Sequence, residues 1–147
     1  MPSTPRRRWI RRVAYAIAGI FSLTFAIFEM AKHGQPTLTV GIIALIAPDL
    51  TLFIGRTPPE RGRLAPAAVP YYNLAHRTAG PWAVLLYFAL VPDLFGDAIS
   101  GPLEYLLPST IPEAAAGFTV GLAWMAHICI DRALGFGLRA PDGRVRV

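Results

Sequence analysis

The chain has almost no cysteine: Cys129 stands alone, within an apolar stretch. A lone thiol excludes an intramolecular disulfide framework and reads as a small core residue. Charge is also missing where a soluble helix would carry it. The run 13–30 holds no charged residue before Glu29, so this first helix has no polar face. That argues against a water-soluble bundle, whose surface helices need one. No internal repeat and no low-complexity tract is present. No small-x-small cleavage pattern follows the first run, where Phe28-Glu29-Met30-Ala31-Lys32 stands. Although Arg6-Arg7-Arg8-Trp9-Ile10-Arg11 loosely resembles a twin-arginine export signal, the segment reads as a retained helix with a basic anchor.

What is present instead is a set of long apolar runs. Across 147 residues they fall at 13–30, 38–54, 71–91 and 114–130. Each is about the roughly 20 residues a helix needs to cross ~30 Å of hydrocarbon. The pattern predicts an all-α bundle of four transmembrane helices, at about 10–31, 37–54, 70–91 and 113–134, in a single integral membrane domain, 1–147. Residues 1–9 read as a mobile tail. Pro48 and Gly80-Pro81 fall inside predicted helices and mark expected kinks.

The net charge of +5 would suit nucleic acid, but its distribution does not. Arginines gather at 6–12, at Arg56, Arg61 and Arg63, and at Arg139, Arg144 and Arg146. With four crossings these three segments share one side. The positive-inside rule then predicts both termini in the cytoplasm of a bacterial inner membrane. Anionic lipid headgroups explain the basic surface, and no nucleic-acid partner is expected. The other side holds Lys32, Asp93, Asp97, Glu104 and Glu113, with a short interfacial helix expected at 103–107.

Polar residues inside the apolar runs are the functional signal, because an imidazole or carboxylate in hydrocarbon is costly without a partner. They are Pro48-Asp49, then Tyr72-Asn73-Leu74-Ala75-His76-Arg77, then Trp124 with His127 and Asp131-Arg132. The alternation of crossings puts all three at similar depth on the cytoplasmic side. His127 and Asp131 are four apart, on one helix face, and Asn73 and His76 are three apart. Asp49, His76, His127 and Asp131 form a ligand vocabulary for zinc, iron or manganese. Tyr72, Asn73 and Trp124 would support that set, and Arg77 and Arg132 would hold an anionic substrate or headgroup. The same residues serve equally as an interhelical hydrogen-bond network, a partner-subunit contact or a proton path. Glu29 could handle protons and Asp93 with Asp97 could bind calcium, though hydration explains each equally; His33, a lone loop histidine, is assigned no role. Gly19, Gly41, Gly117 and Gly121 permit close helix approach.

These segments resemble a family of small bacterial four-helix integral membrane proteins described as a domain of unknown function. The resemblance rests on Pro48-Asp49-Leu50, on Tyr72-Asn73-Leu74 with His76, and on a closing motif of Trp124, Ala126, His127, Ile128, Asp131, Arg132, Leu134, Gly135, Gly137 and Leu138. Phe136 stands where the family has tyrosine, and the second loop is longer. The resemblance implies a membrane fold and brings no activity. More distantly, the order of Pro48-Asp49, His76-Arg77 and His127 with Asp131 is similar to the membrane-bound metal-dependent hydrolases. That similarity implies a metal-dependent hydrolysis. Thr51 replaces the second aspartate of their first motif, and Pro81 stands at the second histidine of their middle one.

Overall fold

The computed structural model describes residues 5–55, 62–95 and 111–146, and of residues 91–95 and 111–113 the backbone alone. It is all-helical, with no strand among the described residues. Helix α1 spans Pro5–His33, α2 Thr37–Ile46, α3 Val69–Ala75, α4 Ala79–Phe95 and α5 Ile111–Leu134; 3-10 segments run over Ala47–Phe53 and Pro66–Ala68. The expected 103–107 helix, and the sites at Asp93, Asp97, Glu104 and Glu113, lie outside the described residues or side chains.

Helix α1 is longer than the sequence pattern predicts. The part of the basic tail from Pro5 onward is helical, with proline at a first-turn position where its missing N–H costs nothing. The helix stops at Gly34, whose φ of 61° only glycine adopts freely and whose N–H caps the Met30 carbonyl at 3.0 Å.

Both prolines inside the predicted spans act, but one acts elsewhere than expected. Pro48 ends the α-helical pattern of α2 at Ile46, and the chain continues as a 3-10 segment carrying Asp49. Around Pro81 the helix does not kink at Gly80-Pro81; it breaks between α3 and α4, at residues 76–78. The proline ring clashes with the carbonyl four residues earlier, at Arg77, and offers it no N–H. Pro81 itself sits in the first turn of α4, where no donor is needed. The third predicted helix is therefore two helices with His76 at their junction.

Helix α5 is the hub. It packs against α1, α2 and α4, and three glycine pairings show how closely. A Cβ on Gly19 would lie 3.1 Å from Ile130, and one on Gly41 3.1 Å from Thr119. Gly117 and Gly121 of α5 receive Phe88 and Leu85 of α4. The Gly117/Gly121 stripe thus serves packing within the chain. Phe25 meets Phe118 edge-on at 5.9 Å between ring centres. The main core joins Ala26, Met30, Ala44, Leu85, Leu122, Met125 and Cys129. A smaller cluster, Leu64, Ala65, Ala68, Val69 and Tyr72, closes the end of the bundle where α3 lies.

The outside is apolar as well. Ile17, Phe21 and Phe28 of α1, Ile43 and Ile46 of α2, and Trp82 and Leu86 of α4 are all exposed. An aqueous surface does not usually carry so continuous an apolar face. Among the described residues, two helices, Pro5–His33 and Ala114–Leu134, are long and apolar enough to cross a membrane, and the stretch Thr37–Phe53 is apolar but shorter.

Candidate metal centre

Two chain breaks and one continuous helix bring the polar residues together. Asp49 comes from the 3-10 segment that Pro48 starts, His76 from the junction that Pro81 forces, and His127 and Asp131 from successive turns of α5. One ligating atom from each of the four lies within 4.8 Å of the others. His76 Nε2 is 3.2 Å from His127 Nε2, 3.4 Å from Asp131 Oδ2 and 3.8 Å from Asp49 Oδ1. His127 Nε2 is 3.5 Å from Asp49 Oδ1 and 3.7 Å from Asp131 Oδ2. Both histidine side chains are buried or nearly so, whereas that of Asp49 is 47% exposed. The cluster therefore has one open side, at Asp49.

The orientation of His76 follows from its neighbours. Its Nδ1 lies 2.9 Å from the Tyr72 carbonyl, which can only accept, so Nδ1 carries the proton. In the neutral ring Nε2 then presents a lone pair to the cluster. The Tyr72 ring stacks on the imidazole at 3.8 Å, and the Arg139 guanidinium lies 5.4 Å from the other ring's centre. Two imidazole nitrogens and two carboxylate oxygens thus converge, an arrangement that repels itself unless a cation or shared protons hold it. For ligands about 2.0–2.1 Å from a tetrahedral ion, the distance between ligating atoms is roughly 3.3–3.4 Å. Five measured edges, 3.2–3.8 Å, fall near that value.

The supporting residues do different things from one another. Trp124 Nε1–H donates to the Ala75 carbonyl at 2.7 Å, tying α5 to the end of α3. Arg132 donates to the His76 carbonyl at 3.2 Å and to Tyr15 Oη at 3.0 Å, so it holds the junction in place from α5. Asn73 turns away from the cluster. Its Nδ2 donates to the Arg139 carbonyl at 2.9 Å, and its Oδ1 accepts from the Arg139 N–H at 2.7 Å. This pairing pins a C-terminal turn, closed by an isolated bridge between Arg139 and Val145 and by glycine at Gly143, φ 81°. Leu64 N–H donates to the Gly143 carbonyl at 3.0 Å and secures the turn to the second loop. Arg77 lies within the break and is exposed. Glu29 lies toward the opposite end of α1, 3.4 Å from His33.

Sequence reasoning missed Tyr15, and it read Arg139 and the N-terminal arginines only as a basic surface, not for their contacts within the chain. Arg12 donates to the carbonyls of Ala133 at 2.7 Å and Leu134 at 3.0 Å, capping the end of α5. Arg8, Arg11, Arg12 and Tyr15 recur at helical spacing and could have been read as one face. The Pro141-Asp142-Gly143 turn was likewise legible from composition.

No curated protein and no solved structure matches the chain. Over residues 12–145, which hold every residue of the cluster and of its supports, the chain matches and belongs to the family described as "Domain of unknown function (DUF4260)".

Proposed function

We propose that the protein is a four-pass membrane protein of a bacterial inner membrane, a single integral domain over 1–147 with both termini cytoplasmic. In this reading its His/Asp cluster is a divalent-metal centre at the cytoplasmic leaflet, serving hydrolysis of a phosphorylated or lipid-like substrate. The observation that carries the metal reading is the convergence of four ligating atoms within 4.8 Å of one another, five of their separations at 3.2–3.8 Å, with the His76 Nδ1 turned to the Tyr72 carbonyl and its Nε2 to the cluster. Zinc suits two nitrogens and two oxygens best; manganese and iron accept the same donors.

Several observations support the membrane reading. The outward faces of α1, α2 and α4 are apolar, and α1 and α5 have the length. Helix α4, at 17 residues, covers roughly 25 Å at 1.5 Å per residue. Arg12, Arg132 and Arg139 meet at one end of the bundle, the end that the positive-inside rule assigns to the cytoplasm.

Four protein donors would fill a tetrahedral ion's positions, so hydrolysis requires the exposed Asp49 to give way to water. An ion held by His76, His127 and Asp131 would then supply Lewis acidity and lower the pKa of that water toward neutrality. The chain's own residues do the rest. Asp49 and Asp131 supply the negative charge that neutralises a dication. Tyr72 and Arg132 fix His76 through its Nδ1–H and its carbonyl. The exposed flank at Asp49 is the side on which a substrate approaches.

The test is metal analysis of protein purified in mild detergent without a chelating tag. Near-stoichiometric metal is expected in the wild type, with its loss in a folded His127→Ala/Asp131→Ala variant. Wild-type protein that takes up no ion even after loading would end the metal reading. The same hydrogen bonds favour a second reading, in which the cluster locks the bundle or receives a partner subunit. Trp124 to Ala75 and Arg132 to His76 join α5 to the α3–α4 junction without any ion. That reading predicts a melting temperature indifferent to metal.

A further inference from the structure

Beside the metal cluster lies a pocket with the opposite charge. A cavity of about 380 Å³ is lined by Arg8, Arg11, Arg12, Arg132 and Arg146 together with Tyr15 and, among the described residues, by no carboxylate. Its charge is concentrated by folding: three arginines come from one face of α1, one from the end of α5, and one from the C-terminal turn. Some of these groups also have partners within the chain, as Arg12 and Arg132 do. Guanidinium groups gathered in this number suit a phosphate, because each offers paired N–H donors that match phosphate oxygens.

The pocket adjoins an apolar groove. A cleft of about 730 Å³ runs between α1 and α4 over α5, and its walls include Ala18, Phe21, Phe25, Trp82, Leu86 and Phe118. Arg11 and Tyr15 line both spaces, so the groove begins where the arginines end. From Arg11 to Phe25 the groove follows α1 for roughly 21 Å at 1.5 Å per residue. One leaflet of hydrocarbon is about 15 Å thick, so a chain anchored at Arg11 would be covered along its length.

We propose that pocket and groove form one binding site for an anionic phospholipid, with its phosphate among the arginines and one acyl chain between α1 and α4. A soluble anion would use the arginines and leave the groove unexplained. A partner's helix would use the groove and leave the cations unexplained. An anionic lipid uses both, in the order in which the structure joins them. The proposal rests on the membrane reading above and is independent of the metal reading. A small cavity lined by His76, Asp131, Arg132 and Phe136 lies between the arginine pocket and the cluster, sharing Arg132 and Phe136 with the pocket. If the cluster is hydrolytic, this site holds a phosphate next to it.

The test uses the full chain in neutral detergent, titrated with dioleoylphosphatidylglycerol, with dioleoylphosphatidylcholine, or with inorganic phosphate. Bound lipid is read by native mass spectrometry and melting temperature by intrinsic fluorescence. The wild type is expected to prefer phosphatidylglycerol over phosphatidylcholine by about tenfold. Arg11→Gln/Arg146→Gln removes two exposed pocket arginines and should abolish that preference while the protein still folds. Ala18→Trp fills an exposed wall of the groove and should weaken both lipids while leaving the response to inorganic phosphate unchanged. Equal retention of the two lipids by the wild type would overturn the proposal. So would a phosphate response as large as the lipid response and untouched by Ala18→Trp, which would make this a soluble-anion site. A detergent-stable dimer that Ala18→Trp dissociates would assign the groove to a second copy and overturn it as well. A chelator must leave lipid retention unchanged, which separates this result from the fate of the metal reading. Recovery of the protein in the soluble fraction without detergent would overturn the membrane premise and the lipid site together.

Discussion

The two halves of α5 are held in different ways. Its first half, around Gly117 and Gly121, is held by shape. Phe88 and Leu85 enter slots that any side chain would fill, Phe118 meets Phe25 edge-on, and the buried Thr119 hydroxyl has no hydrogen-bond partner among the described residues. Its second half, from Trp124 to Arg132, is held by direction. There Trp124 reaches the Ala75 carbonyl, His127 faces His76, and Arg132 reaches the His76 carbonyl and Tyr15. The difference shows how a helix can be fixed where the surroundings are as apolar as its own side chains. In the proposed bilayer, burial would give little preference for neighbours over lipid, so close fit and hydrogen bonds would set the arrangement. The fitted half gives a scaffold, and the directional half spends its groups on a defined point.

The largest effect should come from violating the fit. Gly117→Leu drives a side chain into the Phe88 ring and should cost about 3 kcal/mol, seen as a lower melting temperature in detergent. Adding Phe88→Ala should restore part of it, and no restoration would mean that the slot is not what holds α4. The next effect tests the directional half. Zinc at about 100 times its Kd should raise stability by about 2.7 kcal/mol. A chelator should remove that increment, and His127→Ala should lack it. Gly117→Leu should keep the increment if the two halves act separately, and its loss there would merge them into one unit.

A smaller and more local effect follows from Asn73→Ala. It releases both hydrogen bonds to Arg139 and should cost about 1–2 kcal/mol. Hydrogen exchange should quicken at the Arg139 amide and the C-terminal turn, while the first half of α5 keeps its protection. Equal loss of protection in both places would show that the turn supports the whole bundle. The smallest effect has the opposite sign. Thr119→Val removes a buried hydroxyl without a partner among the described residues and should be neutral or stabilise by up to about 1 kcal/mol. Clear destabilisation would show that the hydroxyl is satisfied and that this half is not held by shape alone.

Much of the helical layout was legible in the chain, because apolar run length is a local property. Residues 13–30 and 114–130 lie within α1 and α5. The break at Pro48 could be read because a proline removes a specific N–H. Its counterpart at Pro81 was placed too late. The clash falls four residues upstream, and at the start of α4 the proline itself is unstrained. Of the residues expected around the cluster, Asp49, His76, His127 and Asp131 do approach one another. Asn73 does not join them, since Arg139 offers it a matched donor and acceptor. Arg77 was placed by counting along an unbroken helix, and the break removes the basis of that count.

By itself, then, the sequence determined where apolar helices form and that Asp49, His76, His127 and Asp131 fall toward the same end of the bundle. Both follow from run length, proline positions and the alternating direction of successive helices, which are local or simply counted. Only the tertiary structure decided which side chains share a point and which arginines share a pocket. Side-chain direction beyond a helix break depends on how the next helix packs, and Arg12, Arg132 and Arg146 come from segments far apart in the chain. Their proximity is a property of helices held against α5, which no local pattern encodes.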